Sequence, residues 1–130
     1  MQDSIFTKII KGEIPCHKIY EDDNVIAFLD VHPQAEGHTL VVPKRQVDHL
    51  WDLDQVEYEV LWRAVKKIGA HLKDEIGSPR VGVVVEGFGV PHVHVHLIPI
   101  YHGEDLKKAQ DLESEPDHVA LAQLAQRLAL

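Results

Sequence analysis

Residues 92–98 read His-Val-His-Val-His-Leu-Ile and run straight into Pro99, so imidazoles and aliphatic side chains alternate with the period of a β-strand. In extended chain successive side chains point to opposite faces, which puts His92, His94 and His96 on one side and Val93, Val95 and Leu97 on the other. The apolar side needs a core behind it, and the polar side needs partners or solvent. Any fold for this chain must hold a strand that is packed on one face and carries imidazoles about 6.6 Å apart along the other.

The remaining sequence supplies elements for such a core. At 130 residues the chain is expected to form one domain. Ser4 to Lys11 predict a short helix, ended by Gly12 and Pro15. Lys18–Glu21 and Val25–Leu29 read as a hairpin, because Asp22-Asp23-Asn24 between them are turn formers. A loop with Pro33 and Gly37 leads to a third strand, His38–Val42, stopped by Pro43. Asp52 or Asp54 is placed to cap a long helix in which Leu61, Val65, Ile68 and Leu72 recur at the spacing of one helical face; Gly77 and Pro79 end it. Val81–Val85 and the histidine strand complete about five strands, and Pro116-Asp117 open a last helix through Leu121, Leu124 and Leu128. Short antiparallel strands around one long helix, with a further helix at the C-terminus, imply an α+β domain.

Composition excludes several classes of function. A formal net charge of -8 and a pI near 5.6 argue against a broad basic field for nucleic acid, so any phosphate must be met by local donors. One cysteine, Cys16, rules out an intrachain disulfide and a cysteine-rich zinc cage, as expected in a reducing cytoplasm. Its neighbour His17 does not make it a nucleophile pair, since adjacent residues in extended chain point apart. No apolar run approaches the roughly 20 residues needed to span a bilayer, and Met1-Gln2-Asp3 begin no signal peptide; a cytoplasmic protein without membrane contact is expected. Glu104, Asp105, Asp111, Glu113 and Glu115 read as a solvated acidic face.

Three imidazoles on one face admit three readings. They can be hydrogen-bonded structural side chains. They can chelate zinc, which two histidines at alternate positions are able to do, although no carboxylate or thiol lies in the same run to complete a site. They can also perform covalent catalysis, in which one neutral imidazole attacks phosphorus while its neighbours donate hydrogen bonds to the developing charge. A free imidazole pKa near 6.5 leaves the ring largely uncharged at physiological pH, so little activation is required.

The run His92–Ile98, taken with Phe28-Leu29-Asp30-Val31 and Gly37-His38-Thr39-Leu40-Val41-Val42-Pro43-Lys44, resembles the histidine triad superfamily, in particular its nucleotide-binding, phosphoramidase-like branch. The likeness extends upstream through Ser4–Ile10, Glu13-Ile14-Pro15 and Tyr20–Asp23, and covers roughly residues 4–101. Residues 102–130 then form a C-terminal extension, with its helix, of the same domain.

The resemblance implies a hydrolase of purine nucleoside phosphoramidates, with His94 as the nucleophile that attacks the α-phosphorus and forms a nucleotidyl-histidine intermediate that water cleaves. It implies that His96 contacts the phosphate and helps the leaving group, that His92 orients the neighbourhood of the nucleophile, and that His38 hydrogen-bonds within the cluster. Asp30 would hold the ribose hydroxyls, an alternative to capping a turn before Pro33. Ile5, Phe6, Ile14, Phe28 and Val31 would line the base pocket or simply pack in the core, and the amides of Gly89 and Val90 would reach the phosphate. A homodimer is implied, with no cofactor. A dinucleoside polyphosphate hydrolase and a nucleotide-binding module without turnover are the alternatives.

Two departures stand out. Relatives often carry a Cys-x-x-Cys zinc pair where this chain has Ser4 and Thr7, so no metal is expected, even with His49 where a third ligand would lie. The phosphoramidase branch usually places glutamine and serine just before the triad, where this chain reads Glu86-Gly87-Phe88-Gly89-Val90-Pro91. That change leaves the leaving-group preference open.

Overall fold

The computed structural model describes residues 2–130. Five strands, β1 (Lys18–Glu21), β2 (Val25–Leu29), β3 (Thr39–Pro43), β4 (Arg80–Val84) and β5 (Val95–Ile100), form one antiparallel sheet in the order β1-β2-β3-β5-β4. Helix α1 (Ile5–Ile10) precedes it, α2 (Gln55–Ile76) lies between β3 and β4, and α3 (His118–Leu128) follows. The expected α+β architecture is the observed one.

The sheet is covered on both faces, which explains why β2 and β3 are apolar without interruption. On one face Leu61, Val65, Ile68 and Leu72 of α2 pack with Ala27, Leu29, Val41, Val93, Val95 and Leu97, the apolar half of the alternating run. On the other face Phe6 of α1 packs with Ile26, Phe28, Leu40 and Val42. That second, smaller cluster leaves part of its face open beside the histidines.

Local chemistry sets the helix ends. Asp54 accepts the Glu57 backbone N–H at 2.8 Å while Glu57 accepts the Asp54 N–H at 3.2 Å, a reciprocal cap that starts α2. Gly77 ends α2 at φ 80°, a left-handed conformation that costs glycine little. Asp117 caps α3, whose Leu121 and Leu128 are buried against β1, β2 and α2.

The structure corrects one expectation. The strand begins at Val95, so His92 and His94 precede it. Pairing of β3 with β5 runs from Thr39–Leu97 to Val41–Val95 and then stops, because Pro43 has no N–H to continue the ladder. The Val93 N–H goes instead to the carbonyl of Val47 at 2.7 Å. All three rings still lie on the α1 side: the Phe6 ring centroid is 5.9 Å from that of His92 and 4.9 Å from that of His94, and His94 and His96 are 5.1 Å apart.

Candidate active site

Beside α1 the sheet carries a cleft of about 360 Å³ whose walls include Ile5, Phe6, Phe28, Asp30, Val31, Gly89, Val90, His94 and His96. Nine of the expected site residues therefore converge from four parts of the chain. His92 and His38 do not reach the cleft; they sit buried behind it and hold its front rings. Ile14 is not part of the wall. It belongs to the turn after α1, where its N–H reaches back to the Lys8 carbonyl at 3.4 Å, and Pro15 and Cys16 take the place expected for it. Leu40, Glu86, Gln110 and Leu112 also line the cleft.

Backbone groups fix the protonation of each ring. A neutral imidazole has one donor and one acceptor nitrogen, and a backbone carbonyl or N–H facing one of them decides which is which. His94 Nδ1 lies 2.7 Å from the His92 carbonyl oxygen and must donate to it, which leaves Nε2 as the lone-pair nitrogen toward the cleft. His38 Nδ1 accepts the Gln34 N–H at 3.1 Å, so its proton is on Nε2, 2.9 Å from His96 Nδ1. His96 accepts there, and its own proton is on Nε2. His92 donates from Nε2 to the Pro43 carbonyl at 2.8 Å and accepts the Ser4 hydroxyl at Nδ1 across 2.7 Å. The cleft thus meets a nucleophilic nitrogen on His94 and a donor N–H on His96.

Burial keeps these supporting rings uncharged. It pushes His38 down to about 4, against the opposing pull of Asp30 and with a smaller push from His96. His92 and His96 are lowered for the same first reason, with His94 the next contributor for His96.

Asp30 makes the turn contact that was the alternative to a ribose role, and it also lines the cleft. One carboxylate oxygen accepts the His32 N–H at 2.8 Å and shapes the turn before Pro33; the other faces the cleft, where Gln110 Nε2 donates to it at 2.9 Å and also to the His32 carbonyl at 2.9 Å. Gln110 is distant in sequence, and no local pattern marks it.

Among the described residues two triplets are close enough to share a cation: Asp30, His38 and His96, and Glu86, His94 and His96. In the first, the His38 and His96 nitrogens are spent on each other. In the second, a metal would occupy the one unprotonated ring nitrogen that faces the cleft, that of His94. Where relatives of the resembled family carry cysteines, the Ser4 hydroxyl is bonded to His92, and the Thr7 hydroxyl donates to Gln46 Oε1 at 2.7 Å. Hydroxyls and a carboxamide satisfied by one another do not suit zinc, which favours thiolate and imidazole. His49 is solvent-facing and turned to Asp48 at 3.7 Å, outside this network. Cys16 faces the cleft while His17 pairs with His118, so the two point apart as expected.

The HIT domain family matches residues 11–103. An uncharacterised HIT-like protein of Methanocaldococcus jannaschii is 43% identical over 105 residues, which cover 77% of this chain and 81% of that one. An adenosine 5′-monophosphoramidase of Schizosaccharomyces pombe is 37% identical over 97 residues, covering 73% and 72% of the two chains. An adenylylsulfatase of Arabidopsis thaliana is 33% identical over 102 residues, covering 75% of this chain and 52% of that one. The crystal structure of a HIT-like protein of Bartonella henselae superposes with a TM-score of 0.83 at 34% identity, covering 97% of this chain and 94% of the other.

Proposed function

Because the chain belongs to the HIT family, we propose that it hydrolyses nucleoside 5′-phosphate derivatives of the purine phosphoramidate type through a covalent intermediate on His94. The observation that carries this reading is the 2.7 Å bond from His94 Nδ1–H to the His92 carbonyl, which leaves Nε2 unprotonated beside the cleft.

The chemistry follows from that lone pair. Nε2 attacks the α-phosphorus as the bond from phosphorus to the leaving nitrogen breaks; that nitrogen takes a proton from solvent and departs as the amine. Water then adds to phosphorus, loses its proton to solvent, and the phosphorus–Nε2 bond returns its pair to the ring. The sum is one water consumed, with a nucleoside monophosphate and an amine formed. His96 acts as a neutral donor: its Nε2–H meets the negative charge that builds on the phosphoryl oxygens, and the proton on His38 prevents it from becoming an imidazolium without rearrangement. The amides of Gly89 and Val90, which line the same cleft, would add donors. Asp30 accepts ribose hydroxyls, and Ile5, Phe6, Phe28 and Val31 enclose the base. His92 and His38 position the two reacting rings.

A homodimer and a cytoplasmic location accompany this reading. The first is supported by the unpaired outer edge of β4, with Val83 half exposed, and sedimentation velocity tests it. The second is supported by the free thiol of Cys16.

The decisive experiment mixes the protein with adenosine 5′-phosphoramidate and quenches within milliseconds to seconds. Peptide mass spectrometry is expected to find an adenylyl group on His94. The His94→Ala variant is expected to lose hydrolysis while it retains AMP binding within a few-fold; comparable turnover by that variant overturns the assignment.

A further inference from the structure

The cleft that would receive a nucleotide phosphate contains no lysine or arginine among the described residues that line it. Its ionisable side chains are Asp30, Glu86, Cys16 and the two histidines. Of the two carboxylates, Asp30 is engaged at one end by Gln110 and the His32 amide. Both carboxylates approach His96, and Glu86 is the one that also approaches His94: its carboxylate and the ring nitrogens of His94 and His96 all lie within 4.8 Å of one another.

Glu86 is also held in place. It leads into Gly87, which takes φ 80°, and its Oε2 accepts the Phe88 N–H at 3.2 Å, so the loop folds the carboxylate back on its own backbone. A phosphorus atom bound between His94 and His96 is therefore within reach of a fixed negative charge. A leaving group on that phosphorus, which departs away from the attacking nitrogen, shares the cleft with Glu86 and Asp30.

We propose that Glu86 is a specificity-determining residue that selects the leaving group by charge, favouring amines that carry an additional ammonium group and disfavouring polyphosphate and sulfate. This rests on the hydrolase reading given above and deepens it. On that reading a single phosphoryl charge is met by neutral groups that line the cleft, the His96 N–H and the backbone of Gly89 and Val90. A leaving group with several negative charges meets no cation among the described lining residues and two carboxylates, Asp30 and Glu86, of which only Glu86 is free of a side-chain partner on another element. Coulomb's law for unit charges about 5 Å apart, in a medium between protein and water, makes this about a ten-fold effect per charge on relative rate.

The test compares three substrates with a common adenosine 5′-phosphoryl group: the phosphoramidate of cadaverine, whose leaving group bears a distal ammonium; that of pentylamine, whose leaving group is otherwise neutral; and diadenosine tetraphosphate. The wild-type protein is expected to rank them in that order by kcat/KM, and the cadaverine-to-pentylamine ratio is expected to shrink as salt is raised. In Glu86→Gln that ratio should fall about ten-fold while diadenosine tetraphosphate gains by a similar factor. Glu86→Lys, on the same exposed loop, should reverse the order. Unchanged ratios in both variants, with turnover and the His94 adduct intact, overturn the charge selection and leave the hydrolase reading standing. No turnover of any substrate and no adduct overturn both.

Discussion

His38 and His96, which come from the residue before β3 and from β5, are joined ring to ring by a 2.9 Å hydrogen bond whose direction is set by a backbone amide, that of Gln34. A group with no access to the cleft thereby decides that His96 presents a proton to it. The bond links the sheet pairing, Leu40 opposite His96, to the protonation of the cleft.

Removing that bond should lower turnover more than binding. In His38→Gln the side chain keeps polar character in a fully buried place but loses the fixed Nε2–H, so kcat is expected to fall about 10- to 100-fold with KM changed only a few-fold, the range for groups that orient a functional ligand. Steady-state kinetics with a nucleoside phosphoramidate checks this; an equal change in kcat and stability alone, with the catalytic pH profile unmoved, would assign His38 a purely structural role.

Asp30 offers a test of nucleotide recognition. Asp30→Asn retains an oxygen for the His32 N–H but loses the charge that would accept two hydroxyls. AMP is expected to bind about ten-fold more weakly, as for loss of a hydrogen bond to a charged group, and 2′,3′-dideoxy-AMP to be unaffected. Calorimetric titration of both nucleotides separates ribose recognition from general damage to the fold.

Stability should depend on pH through the buried rings. His38, at about 4, and the lowered His92 and His96 refuse protons that the unfolded chain takes up near 6.5. Their contribution is complete above pH 6.5 and is lost as pH falls toward 4. Glu57, lowered to about 2 by Arg45, belongs to a lower window, below the ordinary carboxylate range. The midpoint of thermal unfolding is therefore expected to drop between pH 7 and 5, and to drop less in His38→Gln. A flat profile across that interval contradicts the assignment of neutral rings.

The start of α2 gives a prediction confined to stability. Asp54→Ala removes the acceptor for the Glu57 amide and one half of the reciprocal cap. The expected cost is about 1 kcal/mol, a fall of roughly 3–5 °C in Tm for a domain of this size. Hydrolysis at 25 °C should not change, because neither residue lines the cleft.

Elements written in a local code were legible in the sequence. The four-residue and three-residue steps of Leu61, Val65, Ile68 and Leu72 announce α2, the Asp22-Asp23-Asn24 turn announces the β1–β2 hairpin, and the alternation at 92–98 announces which side chains share a face. The start of β5 was not legible, since it depends on Pro43, which sits in a different strand and withholds its N–H. Ring protonation was hidden for a related reason: it is set by carbonyls and amides of His92, Pro43 and Gln34, and every residue type has those. Gln110 escaped notice because the strap that carries it meets Asp30 only in the folded chain. Ile14 was misplaced because one turn of backbone after α1 hands the wall to Pro15 and Cys16.

Ser4 serves two masters within one hydroxyl: its oxygen receives the Thr7 amide that begins α1, and its hydrogen goes to His92, whose carbonyl holds the His94 ring. The start of α1 is thus mechanically geared to the His94 ring through two intervening bonds. Fraying those first residues, by truncation or by a bulky fusion placed directly ahead of them, should register as sluggish chemistry before it registers as lost structure.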